Sequence, residues 1–258
     1  TQLSSLDRIP VSTTPEALFK PKAGTFHYLS IIPWKYLHIG LFEGLIWQRW
    51  DSTGTKPFDW NFINPIIFSN TSVYGMTGKN NSLLGANLKI KILKGLAFYS
   101  QLILDDGINK EGYQFGLKAF DLFTLKNLNF QIEYNKVQIN TYIHEIPLQN
   151  FYHYNQPLAH PLGNGFEELV GMIDYKWRDF FIHLKFNGSE LMNKEIFIQD
   201  YNIGYLINHR TNMNFFAGLF ERVEKYNFFP APNGASAHRT QLLYFGIRTS
   251  IGNQYLDF

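Results

Sequence analysis

In the stretch LNFQIEYNKVQI, residues 128–139, Leu128, Phe130, Ile132 and Tyr134 alternate with Asn129, Gln131, Glu133 and Asn135. Successive side chains of a strand point to opposite faces, so this pattern predicts a β-strand with one apolar and one polar face. The same period runs through 84–92, where Leu84, Ala86, Leu88, Ile90 and Ile92 oppose Gly85, Asn87, Lys89 and Lys91. It recurs in 113–120 (Tyr113, Phe115, Leu117 and Ala119 against Gln114, Gly116, Lys118 and Phe120) and in 168–177. In the last of these, Leu169, Gly171, Ile173, Tyr175 and Trp177 oppose Glu168, Val170, Met172, Asp174 and Lys176. Read along the whole chain, the period predicts eleven strands, at 25–32, 37–48, 82–93, 95–105, 113–121, 128–139, 166–178, 180–188, 198–208, 214–225 and 239–251.

Alternation fits a soluble sandwich as well as a membrane barrel, in which the apolar face meets lipid and the polar face lines the lumen. Composition suits the second. Aromatics make up 17% of the chain (24 Phe, 15 Tyr, 5 Trp) and charged residues only 17%, against about 25% in an ordinary soluble domain. Connection lengths point the same way: those at 33–36, 94, 122–127, 179 and 210–213 read as tight, those at 49–81, 106–112, 140–165, 189–197 and 226–238 as mostly long. Short turns on one rim and long loops on the other mark an outer-membrane barrel. The expected fold is therefore an all-β, antiparallel, up-and-down transmembrane β-barrel. With the tight turns in the periplasm, the strand at 25–32 starts outside the cell. A barrel of even strand number then needs at least one more strand ahead of it, giving at least twelve. The chain reads as a single barrel domain over 1–258, the C-terminal portion of a longer barrel.

Other classes are excluded or left without support. A net charge of +2 offers nothing for nucleic acid, and the absence of cysteine removes disulfides, zinc–thiolate sites and thiol catalysis. No apolar run reaches the ~18 residues of a membrane helix. The start, TQLSSLDRIPVSTTPEAL, lacks the basic and apolar regions of a signal peptide, which for an outer-membrane protein predicts a processed or truncated N-terminus. No Gly-rich phosphate loop, G-x-S-x-G elbow or H-E-x-x-H occurs, so no catalytic residue, cofactor or metal is expected.

Three stretches carry a resemblance: FEGLIW…FDWNFINPIIF at 42–68, NNSLLGANLKIKILKGLAFYSQLILDD at 80–106, and HYNQPLAHPLGNGFEELVGMIDYKW at 153–177. Together they resemble the Wzi-like capsule-assembly outer-membrane family, in the form found in Bacteroidetes beside gliding-motility proteins of the RemB type. The resemblance implies a larger barrel in the outer membrane of a Gram-negative bacterium that is lectin-like and helps attach capsular polysaccharide, or that serves gliding motility. Asn164-Gly165-Phe166 departs from the family's Gly-Ala-Asn-Phe arrangement.

The candidate ligand-binding residues cluster on the segment 144–168, the long loop that leads into the strand at 166–178: His153, Asn155, Gln156, His160, Asn164 and Glu167. One reading folds them into the barrel mouth against sugar hydroxyls. The other makes them loop-holders, with Pro157, Pro161, Gly163 and Gly165 fixing turns and the polar side chains satisfying backbone groups. Trp60 joins the candidates as an aromatic face suited to sugar stacking, while Trp47 fits an interfacial aromatic girdle. Three functions stay open: a non-enzymatic barrel that binds or anchors polysaccharide; a structural or accessory subunit of a motility or secretion complex; and a barrel enzyme or diffusion channel. The partners implied are the lipid bilayer, surface polysaccharide, and other outer-membrane proteins or lipoproteins.

Overall fold

The structure is a computed structural model and describes residues 22–51, 53–74, 80–106, 110–153, 156–226 and 237–249. Alternation becomes strand throughout. The eleven strands are β1 (Lys22–Trp34), β2 (Leu37–Gln48), β3 (Asn81–Leu93), β4 (Leu96–Asp105), β5 (Glu111–Ala119), β6 (Leu128–Val137), β7 (Phe166–Trp177), β8 (Phe180–Leu191), β9 (Lys194–Asn208), β10 (Met213–Tyr226) and β11 (Ala237–Arg248). They are hydrogen-bonded in chain order in one sheet, whose edges are β1 and β11; among the described residues no pairing joins those edges. The ladders β1–β2, β2–β3, β8–β9, β9–β10 and β10–β11 are antiparallel. Among the described residues no helix is long and apolar enough to cross a membrane.

Two connections differ from the sequence reading. Residues 189–197, expected as a long loop, are mostly strand: Ser189↔Ile196, Glu190↔Glu195 and Leu191↔Lys194 pair, and only Met192–Asn193 turn. Polar residues occupy both faces here, so the period that betrays a strand is lost. Residues 122–127, expected as a tight turn, belong to a longer connection with a 3-10 turn at Leu122–Thr124. It is entered through Asp121 in the left-handed region (φ 53°), whose carboxylate accepts from Asn127 N at 2.7 Å. The sorting of short and long connections thus has an exception on each side. The connection at 227–236 lies outside the described residues.

The chain packs as two units. The first holds Thr1–Ile90, Tyr99–Phe115 and Asn135–Phe166. Register sorts its β1–β3 side chains into rows. On one face Leu37–Ile90, Ile31–Ile39–Leu88 and Leu29–Leu41–Ala86 form three apolar rows. The next rows, His27–Glu43–Leu84, Thr25–Leu45–Ser82 and Ala23–Trp47, lie under residues 53–74, which include the short helix α1 (Ser69–Tyr74). The cover is complete over the middle row, where Leu45, Thr25 and Ser82 are 0% exposed. Glu43, also buried, accepts from Phe68 N at 2.8 Å, Thr71 Oγ1 at 2.7 Å and His27 Nδ1 at 2.8 Å. Three donors, one of them imidazole, compensate a carboxylate that burial alone would strongly destabilise. The opposite face carries His38, Lys89 and Asn87, then Tyr28, Phe42, Phe26 and Leu83, and its far end is crossed by residues 138–165.

The second unit holds Lys91–Phe98, Gly116–Tyr134 and Glu167–Phe258. Its β8–β11 ladders show the same division. One face carries the rows Phe180–Tyr205–Phe215–Ile247, Ile182–Ile203–Ala217–Phe245 and Leu184–Tyr201–Leu219–Leu243. Beyond them come Phe186–Gln199–Glu221–Gln241 and further charged residues. These apolar side chains stand open, Phe245 at 86% exposure. The other face is polar and internally bonded: His183 Nδ1 donates to Asp174 at 2.5 Å, Tyr244 Oη to Asp200 at 2.7 Å, and Asn187 Nδ2 to Glu168 at 2.6 Å.

Glycines mark that polar face in each unit. Phe42 lies across from Gly85 and Phe26 from Gly44 in the first unit; Phe181 faces Gly204, Tyr244 faces Gly218 and Phe216 faces Gly246 in the second. At Gly85, Gly204, Gly218 and Gly246 the ring occupies the space a Cβ would need, and at Gly44 it lies 3.1 Å from it. Laying a ring on a glycine covers the bare backbone and lets a sheet curl toward the glycine-bearing side.

Candidate functional site

The loop 138–165 is tied to the strand ends of the first unit. Lys22 Nζ donates to Asn150 O at 2.6 Å and Asn81 Nδ2 to Gln149 O at 2.9 Å. Gln138 N donates to Glu111 O at 2.9 Å, Lys110 Nζ to Ile143 O at 2.8 Å, and Tyr142 N to Asp105 Oδ2 at 2.5 Å. Asp106 stands 3.6 Å from His144 Nε2 and 3.5 Å from Lys110 Nζ. Inside the loop, Phe151 N donates to Tyr142 O and Leu158 N to Phe151 O, each at 3.0 Å. A segment so tied is a fixed part of the fold, with its backbone groups satisfied by strand ends rather than by water.

Between this loop and the polar face of the strands is a cavity of about 290 Å³. The strands supply Phe26, Phe42, Leu83, Gln101, Gln114 and Asn135. The loop supplies Tyr142, Phe151, Leu158 and His160, and Phe166 closes the set at the start of β7. Tyr142 and Phe151 meet edge to face, with centroids 6.4 Å apart. Burial, and after it the Asp105 carboxylate, holds the Tyr142 phenol above its ordinary pKa, so its hydroxyl stays neutral. Gly44 and Gly112 keep the space open: a Cβ at Gly44 would lie 3.1 Å from Phe26 and 3.3 Å from Phe151. Ring faces beside neutral amides suit a small group with both C–H faces and hydroxyls, and the volume is at the small end for a ligand site. No group of three His, Asp or Glu that could hold a metal occurs among the described residues.

The sequence candidates separate on this geometry. His160 lines the cavity, stacked on Phe166 with centroids 4.4 Å apart, and its Nδ1 accepts from Leu162 N at 3.2 Å. His153 and Gln156 pair in a two-residue ladder, Gln156 exposed. Asn164 Oδ1 accepts from Asn140 N at 3.2 Å, so Asn164 staples the two ends of the loop. Asn155 lies outside the described residues. Glu167 belongs to β7, not to the loop, and accepts from Tyr134 Oη at 3.0 Å. It points to the face opposite its neighbour Glu168, as the period of two requires. Trp60, in a 3-10 turn on the other side of β1–β3, is not among the residues that line the cavity. The residues that the sequence did not single out are Gln101, Gln114 and Asn135. Each sits on a polar-face position, but only the fold-back of a distant loop brings them together.

Comparison with protein-family models, curated proteins and solved structures finds no match to this chain.

Proposed function

We propose that this chain is part of the wall of an outer-membrane β-barrel, and that it binds or anchors surface polysaccharide without chemical change to it. One observation carries the membrane reading. Each unit sets three apolar rows on one face, half-buried to exposed in the first unit and mostly exposed in the second, against a face that carries polar side chains and glycines among its aromatics. Water punishes such a patch, and hydrocarbon favours it. Aromatic pairs at the short-turn ends support it: Trp34 stacks with Tyr36 at 6.1 Å, and Trp177 with Phe180 at 6.3 Å, in the manner of an interfacial girdle. In a bilayer β1 and β11 each require a further strand, because open edges are not tolerated in hydrocarbon.

The polysaccharide reading is supported by the aromatic–amide cavity and by the likeness of residues 153–177 to the Wzi-like family. Gln114→Ala with His160→Ala is expected to release surface polysaccharide while barrel abundance and heat resistance stay normal. A fall of both in proportion favours the alternative, a structural or accessory barrel subunit of a motility or secretion complex, to which the two open edges also point. Normal abundance with polysaccharide fully retained overturns the cavity's role. Sidedness is a separate prediction. The chain has no native cysteine, so cysteine placed at Gln156 is expected to react with an impermeant thiol reagent on intact cells, and cysteine at Lys94 is not. The opposite pattern inverts the topology.

A further inference from the structure

The loop on the apolar side of β1–β3 takes no part in the cavity. Its stretch 57–74, PFDWNFINPIIFSNTSVY, has a single charged side chain, Asp59. That carboxylate is used internally, accepting from Asn61 N at 2.9 Å. The other polar groups also turn inward: Asn64 Nδ2 donates to Ser69 Oγ at 2.8 Å, Asn70 Nδ2 to Asn61 O at 3.1 Å, and Phe68 N and Thr71 Oγ1 to Glu43. Apart from Ser72, the exposed side chains are apolar. Phe58, Trp60, Ile63, Ile66 and Val73 are exposed, Trp60 at 76% and Val73 at 72%. Phe58 and Trp60 meet edge to face with centroids 5.5 Å apart, so the rings cover each other only in part.

Position gives this patch its meaning. Glu43, the residue that clasps the loop, is two residues along β2 from Leu41, in the last of the three apolar rows. Two residues of strand are about 7 Å. The loop therefore begins where the apolar rows end, on the same face. In a bilayer that level is the interface, which favours Trp, Phe and aliphatic side chains beside uncharged polar groups. A loop whose one charge is bonded internally, with aromatic and branched side chains outward, has the composition of that layer.

We propose that residues 57–74 rest in the headgroup layer of the outer leaflet, with Trp60, Ile66 and Val73 in contact with lipid. The proposal rests on the reading of the three apolar rows as lipid-facing, and it makes Trp60 a lipid contact rather than a sugar platform. Single cysteines at Ile66 and Val73, both exposed, carry a nitroxide, with one at Leu243 as the reference inside the apolar rows. The full chain is placed in phosphatidylcholine–phosphatidylglycerol vesicles. Collision with lipid-dissolved oxygen is compared with collision with a water-soluble nickel chelate. Oxygen is expected to dominate at Leu243 strongly and at Ile66 and Val73 by a smaller margin, the order that an interfacial depth produces. Nickel dominating at Ile66 and Val73 while Leu243 stays dry overturns this proposal alone, and leaves the loop in water or against a partner. Nickel dominating at Leu243 as well overturns the lipid-facing reading on which it rests.

Discussion

Arginine in place of Leu243 is expected to cost about 2–4 kcal/mol of stability in lipid vesicles, whereas arginine in place of its neighbour Leu242 costs far less. The two leucines are adjacent on β11 and both are well exposed. They differ in face. Leu243 pairs with Leu219 in the third apolar row, and Leu242 pairs with Phe220 on the side of Asp200 and Lys185. In hydrocarbon a guanidinium at 243 has no water and no partner within its row, while at 242 it enters a polar lumen. For a sheet bathed in water on both faces, each substitution replaces an exposed leucine and is near neutral. Denaturant unfolding from vesicles separates the cases: equal effects at the two positions remove the distinction between faces.

Gly204→Ala is expected to destabilise by about 1–3 kcal/mol, and Gly171→Ala hardly at all. A Cβ at Gly204 would overlap the Phe181 ring and lie 2.5 Å from the carbonyl oxygen of Phe215. The ring can swing away. The carbonyl cannot, because it belongs to the β9–β10 ladder. Gly171, on the face of Leu169, has nothing within 4 Å of its would-be Cβ, and alanine there also reduces the freedom of the unfolded chain. If both variants unfold at the wild-type denaturant midpoint, the ring-on-glycine pairs are not structural contacts.

The strands were legible in the sequence wherever the two faces meet different surroundings. Leu128 to Asn135 and Phe180 to Lys185 alternate because one side of the strand is apolar over three rows and the other is not. Ser189 to Phe197 lost that signal: past the apolar rows both faces are polar, and Glu190↔Glu195 looks like loop until register places it. Glu167 is the opposite case. The alternation Glu167–Leu169–Gly171 already set it on the apolar side, but its neighbours in the loop motif drew it into the site. His160, which lines the cavity, was named through its loop, and Gln101, Gln114 and Asn135 were not. Their role depends on residues 138–165 folding over the strands through bonds such as Lys22 to Asn150, between residues 128 apart in sequence. The fold-back of 53–74 left one readable trace, the near-absence of charge over 57–74, in a loop expected to face water.

In the proposed barrel one face of these strands lies in lipid and the other in an aqueous lumen. This arrangement is tested most directly by a fluorescent thiol probe at single cysteines replacing Ile182, Leu184, Ile203, Lys185 and Thr240, with the protein in vesicles. Bromine on the lipid acyl chains is expected to quench the probe at Ile182, Leu184 and Ile203. Iodide in the water should quench it at Lys185 and Thr240. Iodide quenching at all five positions, with no effect of brominated lipid, would contradict that arrangement.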